Sequence, residues 1–197
     1  MYRGSAVAVG VLLAGVGVLG LSHQASGQVG TTITLSDGTN LDNFNQAGNA
    51  NWRVAERTLV ADRGNGFLVT KQSYGDFKIR AEVWVDDIAN SGIFIRCDNP
   101  QQPTANTCYE VNIFDTNPNP RNGTGAIVNV APVNPMPKVA LNWAVMEIEA
   151  RGPQLTVTVN GKQTAMATDS KHLRGRIAFQ RAEGVVRWRK IEITPLS

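Results

Sequence analysis

The sequence predicts an all-β fold, a sandwich or jelly roll of two antiparallel sheets, on three observations. After Gly30 apolar and polar residues alternate with a period of two, turn signals recur at short intervals, and no stretch carries a ten-residue helical period. The alternation is clearest at Phe77, Ile79, Ala81, Val83 and Val85, interleaved with Lys78, Arg80, Glu82 and Trp84. It recurs at Ile93 and Ile95 against Phe94 and Arg96, then at Val111 and Ile113 against Glu110, Asn112 and Phe114. Met146, Ile148 and Ala150, followed by Leu155, Val157 and Val159, repeat it. Each run reads as a strand with one face on a core. Asn160-Gly161 is a type I′ hairpin signature, so the strand through Val159 turns straight into Lys162–Ala165. Asp37-Gly38, Gly64-Asn65-Gly66, Tyr74-Gly75-Asp76 and Asn122-Gly123 mark other turns. The least regular stretch, Asn117 to Lys138, carries Pro118, Pro120, Pro132, Pro135 and Pro137. It reads either as a lid or binding loop or as a rigid surface connection.

Residues 1–27 read as an export signal, and 28–197 as one domain. Arg3 supplies a positive charge, and the apolar run Ala6–Leu21 is too short to span a bilayer, which takes about 20 residues. Small residues at Ala25 and Gly27 then offer cleavage sites. The expectation is a periplasmic or secreted protein without a stable membrane anchor after cleavage. Hydrophobic residues at 42% and charged residues at 18% exclude a disordered chain. A net charge of +3 with no Lys/Arg block gives no phosphate-tracking stripe, so nucleic acid is not the expected partner. In an oxidising compartment Cys97 and Cys108, each adjoining a strand and separated by a polar loop, read as a disulfide; two free buried thiols are the alternative. With two Cys and two His in the chain, one of them (His23) in the signal segment, a zinc site of matching spacing is not present.

The polar sides of the central strands carry the candidate chemistry. Arg80, Glu82, Trp84, Phe94, Arg96, Glu110, Asn112 and Phe114 mix carboxylates, guanidinium groups and rings, as a concave sugar-binding sheet does. The alternative is a solvated face with cross-strand ion pairs such as Glu110 with Arg96. Glu82 and Glu110 could also suggest paired glycosidase carboxylates, but the chain lacks an E-x-D-x-x-E cluster.

Several phrases in order carry a family resemblance: Leu68-Val69-Thr70-Lys71, Tyr74-Gly75-Asp76-Phe77, Asn90-Ser91-Gly92-Ile93-Phe94-Ile95-Arg96, and Tyr109-Glu110-Val111-Asn112-Ile113-Phe114-Asp115. Thr124-Gly125-Ala126-Ile127, Leu141-Asn142-Trp143, Gly175-Arg176-Ile177-Ala178-Phe179-Gln180 and Ile191-Glu192-Ile193-Thr194 follow. From Thr31 to Leu196 the chain resembles the 3-keto-disaccharide hydrolase family, long carried as a domain of unknown function. The resemblance implies a concanavalin A-like jelly roll, a small carbohydrate partner oxidised at C3, and an optional divalent metal ion. A ketone at C3 acidifies the C2 proton; a base takes it, an electrophile steadies the enolate, and the C1 substituent leaves. Carried over, Glu110 and Arg96 stand as the catalytic pair, side by side on one face, with Glu110 kept ionised by the guanidinium. Lys71, Glu82, Trp84, Asn112, Asp115 and Gln180 stand as substrate-binding residues. Two departures matter: Asn112 stands where relatives carry Gln, and Arg181-Ala182-Glu183 where they place a His. His172 is the sole His after the signal segment. The alternative function is therefore a non-catalytic carbohydrate-binding module.

Overall fold

The structure, a computed structural model, describes residues 1, 2, 4 and 30–197; the apolar run and cleavage sites expected within residues 1–27 lie outside the described residues. The strands are β1 (Ile33–Ser36), β2 (Phe44–Gly48), β3 (Arg53–Ala55), β4 (Thr58–Ala61), β5 (Gly66–Thr70), β6 (Phe77–Val85) and β7 (Asn90–Cys97). They continue with β8 (Tyr109–Ile113), β9 (Ala144–Arg151), β10 (Gln154–Val159), β11 (Lys162–Thr168), β12 (Arg176–Glu183) and β13 (Val186–Pro195). One 3-10 turn, Pro120–Asn122, interrupts them, and no helix among the described residues is long and apolar enough to cross a membrane.

Two antiparallel sheets result. The larger runs β11-β10-β9-β6-β13-β4-β3, with β1 also on β13; the smaller runs β2-β5-β12-β7-β8. The period of two puts Ile79, Val83, Ile148, Val157, Trp188 and Ile191 of the large sheet against Leu68, Ile93, Val111, Ile177 and Phe179 of the small one, all essentially without solvent exposure. Each such side chain contributes about 1.5–3 kcal/mol on burial. Phe179 stands edge-on to Trp188 and Phe44, at 5.1 and 5.8 Å, and locks the layers together. At the β10–β11 hairpin Asn160 and Gly161 both have positive φ, 49° and 77°, as the type I′ turn requires.

β6, β7 and β8 do not present the common polar face that the alternation predicts, because β6 lies in a different sheet. β6 hydrogen-bonds to β9 and β13, whereas β7 lies between β12 and β8 in the other sheet. The link Asp86–Ala89 crosses from one layer to the other. Alternation fixes which side of a strand is buried but not which sheet it joins. Glu82 and Trp84 therefore face solvent on the opposite side of the sandwich from Glu110.

The Pro-rich excursion folds down as an edge cover. Val128 N donates to Glu110 O (2.9 Å), Asn112 N to Ala126 O (3.0 Å) and Gly125 N to Asn112 O (2.9 Å), so the segment pairs along the free side of β8.

Candidate functional site

Register defines the outer face of the small sheet. One row across it reads Ala47, Phe67, Gln180, Gly92, Asn112; the next reads Asn45, Val69, Ala178, Phe94, Glu110. Neighbouring strands being about 4.8 Å apart, Gln180 and Asn112 stand about 10 Å apart across Gly92, which has no side chain to fill the gap. A Cβ added at Gly92 would meet Val111 O at 3.0 Å, the Phe94 ring at 3.4 Å and Glu110 Cγ at 3.7 Å. Gly92 thus lets the Phe94 ring and Glu110 pack closely over the strand, with Asn112 and Gln180 to either side. Phe67 meets Phe94 edge-on at 5.2 Å.

Glu110 is half-buried, and no ion pair reaches it among the described residues. Burial alone pushes its carboxyl from 4.5 up to about 7. Beside it, Asn112 Nδ2 donates to Asn122 O (2.6 Å), leaving the buried Oδ1 without a partner, and the buried Gln180 Oε1 has none either. Buried polar atoms are normally paired, so these two carbonyl oxygens in one row have acceptor capacity to spare. Among the described residues no three His, Cys, Asp or Glu side chains converge to hold a metal ion. One carboxylate and two neutral amide oxygens supply little charge for a divalent cation, and no step is drawn through one.

Arg96 does not join this site. It has φ = 53°, and the register between β7 and β12 slips by one residue at this point, a bulge. The extra residue turns Arg96 inward and returns Cys97 to the face of Phe94. Arg96 is wholly buried, donating to Gly75 O (3.0 Å), Gly152 O (2.7 Å), His172 O (3.2 Å) and Asp76 Oδ1 (3.0 Å). The expected Glu110–Arg96 pair is therefore absent, and no guanidinium holds the Glu110 carboxyl ionised.

Asp115 is likewise structural. Its Oδ1 accepts from Thr124 Oγ1 (2.6 Å) and its Oδ2 from the amides of Val139 and Ala140 (2.7 and 2.9 Å), tying the end of the excursion to β8. Lys71 is exposed just past β5, at the end away from the Phe67–Gln180 row. His172 is buried with Nδ1 2.6 Å from Asp98 Oδ2, in the same cluster as Arg96. Arg181 spends its guanidinium on the carbonyls of Gly64, Asp62 and Ala182. Cys97 and Cys108 are joined as a disulfide on the outer face. Of the expected site residues, the fold brings together Glu110, Asn112 and Gln180. Sequence reasoning missed Gly92 and Phe67; a glycine inside an alternating strand was the available signal.

Glu82 and Trp84 line a separate cleft of about 890 Å³ on the outer face of the large sheet, together with Trp143, Arg187, Arg189 and Lys190. Burial pushes the Glu82 carboxyl up, but hydrogen bonds from Arg80 and Arg189 outweigh it and hold the group below its ordinary value.

The architecture is that of the galectin-like and jelly-roll β-sandwiches. A Bacillus subtilis protein with a galectin-like fold superposes with a TM-score of 0.62 at 12% identity, covering 86% of this chain and 98% of its own; a glycosidic hydrolase gives 0.61 at 13%, covering 84% and 96%. A candidate glycosyl hydrolase from Parabacteroides distasonis gives 0.70 at 22% identity, covering 83% of this chain and 98% of that one. A search of curated proteins finds no match. The model of the 3-keto-alpha-glucoside-1,2-lyase-like domain matches residues 31–194, and the chain belongs to that family.

Proposed function

We propose that the protein is exported and cleaves glycosides carrying a ketone at C3, with Glu110 as the base. The observation that carries this reading is the Glu110 carboxyl, raised to about 7 by burial and set beside the unpaired oxygens of Asn112 and Gln180. A general base works best when its pKa lies near the working pH. Ionised Glu110 takes the C2 proton, and the electrons form an enolate on the C3 oxygen. The Gln180 carboxamide can turn its N–H toward that oxygen. Collapse of the enolate breaks the bond from C1 to the glycosidic oxygen, which leaves with the bonding pair and picks up a proton. The sugar is left as a 1,2-unsaturated 3-ketone; addition of water at C1 completes a hydrolysis. The half-buried Phe67 ring, backed edge-on by the buried Phe94, offers the apolar surface for the pyranose, and the unpaired oxygens of Asn112 and Gln180 accept from its hydroxyls.

The second reading is a non-catalytic carbohydrate-binding module. The absence of a cation beside Glu110 favours it, and a carbohydrate-binding module, CBM66 from Bacillus subtilis, shares the fold at a TM-score of 0.52. Purified protein is incubated with 3-keto-trehalose and with trehalose. Cleavage of the keto-sugar alone, lost in Glu110→Gln, is expected. Binding without cleavage selects the second reading, and cleavage of both sugars refutes both.

A further inference from the structure

The cleft on the large sheet is built by an irregularity that places three outward side chains where regular alternation would place two. The register between β13 and β6 slips between Trp188 and Ile191, so β13 carries one residue more than its partner there. Arg187, Arg189 and Lys190 all point outward as a result, while Trp188 and Ile191 remain fully buried. Bulges commonly re-aim side chains next to functional sites. Here the bulge sets Arg189 against two groups at once: its Nε donates to Glu82, and its guanidinium carbon lies 4.2 Å over the ring of Trp143. Arg187, opposite Trp84 in the register, lies 5.9 Å over that second ring.

The arrangement orients two indoles along one cleft. Trp143 is 37% exposed even with Arg189 against it. The cleft, at about 890 Å³, is near the upper end of the range for small-ligand sites and exceeds what one sugar ring needs. Three of its four cations are paired with carboxylates, Arg187 with Glu56 (2.9 Å), Arg189 with Glu82 and Lys190 with Glu192 (3.0 Å), and the fourth, Arg57, shares the lining with Asp37. Paired in this way they offer hydrogen-bond donors and acceptors but little net field, which suits hydroxyl groups better than phosphate, sulfate or carboxylate groups. Apolar ring faces and matched polar groups together fit a chain of neutral pyranoses, whose C–H faces pack on indole and whose hydroxyls bond to the ion pairs.

We infer that this cleft is a second, non-catalytic binding surface for a neutral oligo- or polysaccharide, on the side of the sandwich away from Glu110. The inference rests on a carbohydrate partner for the protein but not on the reaction proposed at Glu110. It leaves the two faces with separate tasks, retention on a glycan at one and chemistry on a small glycoside at the other.

Affinity electrophoresis of the full chain tests this, in gels containing starch, dextran, laminarin or, as the acidic control, alginate. Retardation by at least one neutral glucan is expected. Trp143→Ala should weaken it at least tenfold, and Trp143→Phe, which keeps a stacking ring, should restore most of it. Glu110→Gln should be retarded like the parent, and Trp143→Ala should cleave 3-keto-trehalose as the parent does if the parent cleaves it. No retardation in any neutral gel would overturn the inference. So would retardation by alginate alone, which marks ion exchange, or loss of retardation in Glu110→Gln, which places the glycan on the other face.

Discussion

Arg96→Met exchanges a buried fork of donors for an apolar chain of similar length. The native guanidinium is wholly buried and bonds three main-chain carbonyls, those of Gly75, Gly152 and His172, as well as Asp76. These acceptors belong to the Tyr74–Asp76 turn, the β9–β10 turn and the segment before β12, so one side chain joins three separate stretches. Each stranded buried acceptor costs about 1 kcal/mol or more. Breaking a buried ion pair by removing one partner costs about 3–5 kcal/mol in all. Asp76 softens the loss, since its side chain is 35% exposed and its other oxygen keeps the Gly152 amide at 2.9 Å. A total near 4 kcal/mol corresponds to a fall in Tm of roughly 10 °C for a domain of this size. Thermal unfolding followed by circular dichroism at pH 7 measures it. A fall of less than 2 °C would refute the reasoning and return Arg96 to the list of residues kept for function rather than for the fold.

Glu110→Gln gives a signed pH test. Because the native carboxyl is raised from 4.5 to about 7, the folded chain retains a proton that the unfolded chain releases between those values. Stability therefore falls as pH rises through this window, by at most about 3 kcal/mol, and the penalty is fully present above pH 7. The variant escapes it, so its Tm advantage over the parent should widen from pH 5 to pH 8; a constant difference contradicts the buried, unpaired carboxyl. Turnover of a 3-keto-glycoside should run the other way, rising about tenfold per pH unit below 7 and levelling above, as expected for a base that works ionised. Replacing Cys97 and Cys108 together by Ser opens a short covalent loop and should cost about 3 kcal/mol by the chain-entropy relation. Denaturant unfolding reads this directly, and an unchanged midpoint would show that the bridge adds nothing to stability.

The all-β class, the hairpin at Asn160-Gly161 and the inward residues of β6–β10 were legible because burial on one face imposes a period of two. Sheet membership was not. A four-residue link between Val85 and Asn90 can turn a hairpin or step between layers, and only the long-range pairing of β6 with β13 decides. Arg96 illustrates a second limit: one residue in a left-handed conformation reverses the parity of everything after it, and an Arg carries no local mark of such a bulge. Asp115 shows a third, since a carboxylate capping main-chain amides reads in sequence like one awaiting a ligand. Glu110, Asn112 and Gln180 share one face because they lie on regular stretches, where the family phrases and the alternation agree.

The cover that residues 125–128 lay along β8 has a mechanical consequence. Glu110 sits on a strand held by β7 on one side and by this segment on the other, with its own carbonyl accepting from Val128. A carboxylate on an open edge strand would ride on a frayed support, and its position would have to be settled anew each time a sugar arrived. On a doubly hydrogen-bonded strand the main chain is fixed when the protein folds, and only side-chain torsions remain to be chosen. The covering segment also occupies the row of amides and carbonyls through which another chain could add as a strand, so this edge of the sheet is closed to strand addition.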